Sequence, residues 1–362
     1  MIDLKTLTSQ IKRNCNISDA NYWGFYSLCG LLLRLRELYS VEKGMRLWEK
    51  IQQKDIGEWI SDRENLWKEL EDKNFGDITV NGNVYSPFEV EKINAEVEKE
   101  DLLYGAGFGL HMKPIFFLAD LISKEKIDGY DVYIAGGEYA RDLSDFPAML
   151  QERVIFARVD TTKMLLWEKF NELRCRRLKS ALEYAFSKYG ITPEEEPSED
   201  IERRISLIAR SEVETYIYHE LGEAFEGQKI GDEWKDFLTD FPRSKAELFA
   251  RAIKDILADT SENGMLRYVL KNLKEGSLGF YIVFLGGFRK ILFPEILNAF
   301  QKFTETGDWD LIDDARKAGY RKAEERKAEE YAERLLSIYK SHKSEKEFIA
   351  KYVENELLDG LY

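Results

Sequence analysis

The chain has 362 residues, 44% of them hydrophobic and 13% aromatic, enough to fill the cores of two or three domains of roughly 100 to 200 residues each. A formal net charge of −14 with 33% charged residues argues against a nucleic acid as partner, because polyanion binding is driven by clustered Lys and Arg that release counterions. Three widely spaced cysteines, Cys15, Cys29 and Cys175, indicate neither a disulfide framework nor a thiolate metal site, and fit a reducing, cytoplasmic setting.

The segment Met1 to Asn14 carries both charge signs and lacks the apolar core of a secretory signal, so it reads as a mature start. The two most apolar stretches, Tyr26 to Leu33 and Leu278 to Gly287, fall short of the roughly 18 to 20 residues of a membrane span, so no membrane insertion is expected. Over most of the chain the periodicity is helical. A first helix is predicted from Ser18 to about Gly44, apolar on nearly every side and therefore central, with Arg34 and Glu37 paired three residues apart. Two more are predicted near Met45 to Gln53 and Glu58 to Glu71. Ile78-Thr79-Val80-Asn81-Gly82-Asn83-Val84-Tyr85 places an Asn-Gly turn between β-prone triplets, the pattern of a type I′ hairpin.

Pro87 and Pro114, read as first residues of helices, open segments running to about Lys99 and Ser123. Between them Gly105-Ala106-Gly107-Phe108-Gly109 reads as a tight turn into a helix start, where free amides beside His111 and Lys113 can hold a phosphate or carboxylate. The spacing matches neither a dinucleotide fingerprint nor a Walker loop. Tyr130 to Ile134 and Val154 to Arg158 read as two short strands around a loop whose Glu138, Arg141 and Asp142 offer a second ligand position. A long helix is predicted from Asp160 or Thr161 to about Lys188, then a linker from Ile191 to Ser198.

Further helices are predicted near Glu199 to Glu226, Arg243 to Ala258, Gly264 to Lys274, Leu278 to Gly286, Pro294 to Phe303 and Trp309 to Ser341. The last is densely charged from Arg316 to Arg334, a solvated face. The expected fold is mainly α, a multi-helix bundle-like assembly with a small β-hairpin and a minor two-stranded β element. Its expected regions are a helical 1–128 with the hairpin near 78–85, a β element and long helix over 129–192, a helical bundle over 193–306, and a charged helix with tail over 307–362.

One helix concentrates metal-ligand and proton-transfer chemistry. At 100° per residue Ile201, Ile205, Ile208, Glu212, Tyr216, His219 and Glu223 share a narrow stripe. If the isoleucines face the core, Glu212, His219 and Glu223 present a carboxylate, an imidazole and a second carboxylate to one volume, the ligand chemistry of Fe, Mn or Zn. Asp255 and Asp259, with Arg251 on the same neighbouring helix, complete or neutralise such a site, and an Arg251 to Asp255 pair is the plainest role for those charges. Val213, Ile217, Leu221 and Ala224 line the opposite side, so a bend near Ser211 would turn His219 to water. A third arrangement keeps the stripe inward with His219 hydrogen-bonded to Glu223 or Tyr216.

The run His219-Glu220-Leu221-Gly222-Glu223 resembles the zincin pattern His-Glu-x-x-His, but Glu223 replaces the second histidine, so the protease chemistry does not carry over. The ferritin-like Glu-x-x-His pattern fails at both places tested, with Tyr216 three before His219 and Phe108 three before His111. No nucleophile with a marked base is present. Three functional readings therefore stand: an interaction or scaffold protein working through a protein partner or self-association, a metal-binding protein or metal-dependent enzyme centred on residues 212–223, and an apolar-ligand site between helices around Phe280 to Phe288. The burial of His219, and an acid from another helix within its reach, separate them.

Overall fold

The computed structural model describes residues 2–175, 180–242, 244–325 and 328–358. Helix accounts for 64% of the structure, beside a five-stranded sheet curled into a half-barrel and a two-stranded sheet. The chain forms two compact units, residues 1–172 with 194–213, and residues 173–193 with 214–362.

The first unit begins with α1 (Leu4–Tyr22), capped by Asp3, whose Oδ1 accepts from the Thr6 amide at 3.2 Å. Its Leu7, Ile11 and Cys15 face the sheet core. A separate helix, α2 (Leu28–Glu42), starts at a new cap where Ser27 Oγ accepts from the Gly30 amide. The single central helix expected from Ser18 is thus two helices broken at Trp23–Phe25. Ser18 lies within α1, its hydroxyl donating to the Pro114 carbonyl. Nor is the segment covered all round: Leu28 is 74% and Leu32 45% exposed. The helix expected at Met45 to Gln53 is turn and irregular chain, and α3 spans Gln53–Leu70.

β1 (Ile78–Val80) and β2 (Asn83–Tyr85) form the expected hairpin, with Asn81 and Gly82 both at positive φ, as a type I′ turn demands. After α4 (Val90–Val97) the chain departs from the expected helices and builds β3 (Leu102–Phe108), β4 (Pro114–Ile127), β5 (Tyr130–Arg141), β6 (Ala148–Gln151) and β7 (Val154–Arg158), in the order β3-β4-β5-β7-β6. Only β5 and β7 are parallel.

This corrects the minor two-stranded element: its two strands do pair, inside a larger sheet. Ile115 to Ala119 are all buried, and a strand covered on both faces shows a continuous apolar run that period alone cannot distinguish from a buried helix. Pro114 opens a strand, a position where a missing amide hydrogen is tolerated. The glycines at 105 and 107 are strand residues whose absent Cβ atoms leave room for Phe117 and for Met149 with Gln151. Glu138 and Arg141 lie within β5, not in a loop. The helix α5 (Val159–Cys175) follows directly.

In the second unit the expected helix to Lys188 is interrupted. Residues 176–179 lie outside the described set, and α6 (Ala181–Ser187) begins at its own Ser180 cap. Then α7 (Glu199–Ile230) contributes residues to 213 to the first unit and from 214 to the second. It is followed by α8 (Asp232–Asp240), α9 (Lys245–Thr260), α10 (Met265–Lys271), α11 (Glu275–Phe284), α12 (Gly287–Leu292), α13 (Pro294–Thr306), α14 (Trp309–Glu325), α15 (Ala328–His342) and α16 (Lys346–Tyr352). Much of the charged face expected from Arg316 to Arg334 lies outside the described side chains. The glycines of α11 bring helices together: a Cβ on Gly279 would meet Ala185 of α6 at 2.8 Å. Phe280 fills the adjacent space edge-on to Phe186.

Candidate metal centre

The site is built by α7, α9, α11 and α12 of the second unit. Ser244 and Glu247 open α9 as Ser-x-x-Glu, and the Ser244 Oγ accepts from the Glu247 amide at 3.1 Å, the first half of a capping box. Ile253, Ile256 and Leu257 are buried and anchor the helix, so that Asp255 and Asp259, one turn apart, meet α7. Gly222 allows the approach: a Cβ there would lie 2.4 Å from the Ala258 carbonyl oxygen.

At this crossing His219 Nδ1 stands 2.6 Å from Asp259 Oδ1, and its Nε2 3.7 Å from Glu223 Oε1. Ligand atoms of His219, Glu223 and Asp255 lie within 4.8 Å of one another. Lys254 Nζ is 2.6 Å from Glu223 Oε2, and Arg289 Nη1 from α12 is 3.6 Å from Asp255 Oδ2. Asp259 is 1% exposed and the His219 side chain 18%, so His219 does not point to water. Its hydrogen-bond partner is Asp259, an acid of another helix, with Glu223 at ion-pair distance on the other ring nitrogen. The opposite face of α7 is also covered, with Val213, Ile217 and Leu221 buried.

Electrostatics follow from this packing. Burial disfavours the His219 cation, but the charge of Asp259 and the bond to it prevail and raise the imidazole to about 10. Glu223 likewise resists burial because Lys254 and His219 face it, and is held down at about 2. Asp255 is pushed up to about 6 by burial and by the neighbouring Glu223 carboxylate. Two half-buried carboxylates of unequal acidity beside one imidazole offer oxygens that a cation or a proton can occupy.

Glu212, expected in the same set, is buried at 2% exposure but is not among the three residues whose ligand atoms converge. Arg251 does not pair with Asp255; its Nε reaches Glu247 Oε1 at 2.9 Å. Lys254, Tyr281 and Arg289 escape sequence reasoning because each enters through a tertiary contact and carries no spacing signal.

The two ligand positions expected in the first unit are closed. Lys113 Nζ lies 3.0 Å from Asp19, 3.1 Å from Asp142 and 3.1 Å from Ser144 Oγ, so its three donors are engaged and none is left for a phosphate. Arg141 Nη2 donates to the Ser144 carbonyl, and its Nη1 lies 3.4 Å from Glu138, which also takes both ends of the Arg158 fork. Asp145, next in the chain after Ser144, lies 3.5 Å from Arg34.

A model of the family of unknown function DUF6866 matches its N-terminal domain to residues 6–158 and its C-terminal domain to residues 163–356. The chain belongs to this family. The His219 site lies wholly within the segment matched by the C-terminal domain. No curated protein and no solved structure matches the chain. Among the described residues no helix is long and apolar enough to cross a membrane.

Proposed function

We propose that the second unit binds one divalent transition metal, Fe, Mn or Zn, through His219 Nε2 and the carboxylates of Glu223 and Asp255. The observation that carries this reading is the division of roles between the two ring nitrogens. Nδ1 is tied to Asp259 at 2.6 Å, while Nε2 lies 3.7 Å from Glu223, and ligand atoms of the imidazole, Glu223 and Asp255 fall within 4.8 Å of one another. A carboxylate behind a ligating histidine fixes its tautomer and ring orientation, and an imidazole with two carboxylates suits these metals. Binding requires the His219 imidazolium, which Asp259 favours, to lose its Nε2 proton while Nδ1 keeps the one it donates to Asp259. Three protein ligands leave coordination positions for a substrate.

A structural ion network is the competing reading, since His219, Lys254 and Arg289 can balance Glu223, Asp255 and Asp259. Elemental analysis separates the two. The proposal requires close to one equivalent of Fe, Mn or Zn in the purified or reconstituted protein, lost in His219→Ala and Asp255→Asn. Failure to retain any of the three metals after incubation and desalting rejects it.

An interaction role is a second reading, favoured by the first unit. Trp23, Phe25, Leu28, Leu32 and Leu33 are all at least 40% exposed, a concentration of exposed apolar side chains in one short stretch, and exposed apolar surface marks interfaces. Sedimentation of the wild type against Leu28→Lys with Leu32→Lys tests self-association through this face. A monomer in both cases removes self-association and leaves only a different protein partner.

A further inference from the structure

Three polar groups with unmet hydrogen-bonding capacity meet beside the proposed ligands. The Tyr281 hydroxyl and Asp259 Oδ2 are buried without a hydrogen bond of good geometry, although the phenol stands close enough to Asp259 to make a weak one and to feel the charge of Asp255. Tyr281 is 6% and Asp259 1% exposed, so bulk water does not satisfy them, and such orphans carry a free-energy cost. Arg289 Nη1 stands 3.6 Å from Asp255 and 3.8 Å from Asp259, beyond hydrogen-bond reach. Its Nη2 is held in place by donating to the Phe284 carbonyl at 2.9 Å. The guanidinium is thus fixed from behind by the end of α11, with its other edge turned toward the carboxylates.

We infer that the substrate of this centre is a small oxyanion, a carboxylate or phosphate, bound to the metal through one oxygen and held by Arg289 and Tyr281 through another. This rests on the metal reading above. A guanidinium offers two parallel donors that match the oxygens of a carboxylate or phosphate, and a phenol supplies one more. Lys254, against Glu223, adds positive charge on the other side. Both cations already offset carboxylates, so it is the charge added by the metal that favours an anion over a neutral ligand. Free oxyanions also need the metal, because Asp255 and Asp259 repel them until a cation offsets that charge.

The test uses the full chain loaded with Mn²⁺, its metal content measured, and titrated with inorganic phosphate and with oxalate while Mn²⁺ electron paramagnetic resonance and heat are followed. At least one anion should bind the loaded protein and neither the metal-free protein; which of the two binds distinguishes phosphate from carboxylate. Arg289→Lys and Tyr281→Phe should each weaken that binding about tenfold or more, with Mn²⁺ content unchanged. Tyr281→Phe removes only a hydroxyl with no hydrogen bond of good geometry, so the fold is kept. A protein that takes up no Mn²⁺ is titrated in its Zn²⁺ or Fe²⁺ form, followed by heat alone, and one that takes up none of the three ends both the metal reading and this one. A protein that holds Mn²⁺ but binds neither anion, or binds one equally well in both variants, overturns this inference alone.

Discussion

Gly222 of α7 lies directly against the backbone of Ala258 in α9, where a Cβ would come within 2.4 Å of the carbonyl oxygen and 2.8 Å of the carbonyl carbon. Backbone cannot rotate aside as a side chain can, so Gly222→Ala must part the two helices. Alanine gains up to about 1 kcal/mol in helix propensity, but overpacking against main chain costs about 1 to 3 kcal/mol, and the second effect wins. Thermal unfolding should show a net loss, and metal retention should fall with it because His219 and Asp259 move apart. Gly227 in the same helix has nothing within 4 Å of its Cβ position. Gly227→Ala should therefore stabilise slightly; equal effects at the two glycines would contradict the close approach.

His219 and Asp259 should be energetically coupled. His219→Ala leaves a carboxylate that is 1% exposed without its hydrogen-bonded partner, a loss of about 3 kcal/mol or more. Asp259→Asn in that background removes the buried charge and should restore part of the stability. Chemical denaturation of the two single variants and the double variant should yield a coupling of about 1 to 3 kcal/mol. Simple additivity would mean that the 2.6 Å contact contributes nothing.

How far this site was legible depends on which contacts were local. His219 and Glu223 are one helical turn apart, and so are Asp255 and Asp259; both relations follow from a 3.6-residue period. That α7 and α9 meet at Gly222 and Ala258 does not follow from any period, and neither does the arrival of Arg289 from α12. Glu212 shows the other side of the same limit: it shares the stripe, yet it is not among the residues whose ligand atoms converge. In the first unit the sheet was hidden because Ile115 to Ala119 are apolar without alternation, being buried on both faces. The Asn-Gly hairpin was visible because its signal is the turn itself.

Asn94 of α4 closes the outer edge of the sheet. Its Nδ2 donates to the Tyr104 carbonyl and its Oδ1 accepts from the Tyr104 amide, both at 2.8 Å, so one side chain imitates a neighbouring strand. Asn94→Ala leaves two buried backbone groups unmet, at about 1 to 3 kcal/mol each, and opens an edge to pairing with other chains. Denaturation should show a loss of about 2 to 4 kcal/mol, accompanied by faster aggregation near the midpoint. A loss below about 0.5 kcal/mol would mean that water replaces the side chain and the edge is not sealed by it.

Asp19 gives the first unit a pH dependence of unusual sign. It is 1% exposed, and burial, opposed by Lys113 and reinforced by Asp142, raises its carboxyl to about 6. Lys113 lies 3.0 Å away, the Leu143 amide donates to Asp19 Oδ1 at 3.1 Å, and Tyr26 and Cys15 complete the titratable surroundings. Because the folded carboxyl binds its proton more tightly than the unfolded one, its contribution is fully present below about pH 4 and is lost as pH rises through about 6. Two units correspond to about 3 kcal/mol. Asp142, which Lys113 holds below the usual carboxylate range despite its burial, contributes with the opposite sign, and because both carboxyls share Lys113 Asp19→Asn holds it lower still, so the comparison reads the pair. Asn resembles the protonated carboxyl at every pH. The stability of Asp19→Asn relative to wild type should therefore rise by up to about 3 kcal/mol between about pH 3.5 and 7.5. Denaturant melts of both proteins across that range measure it directly, and a difference that stays constant with pH would show that Asp19 titrates normally in the folded chain.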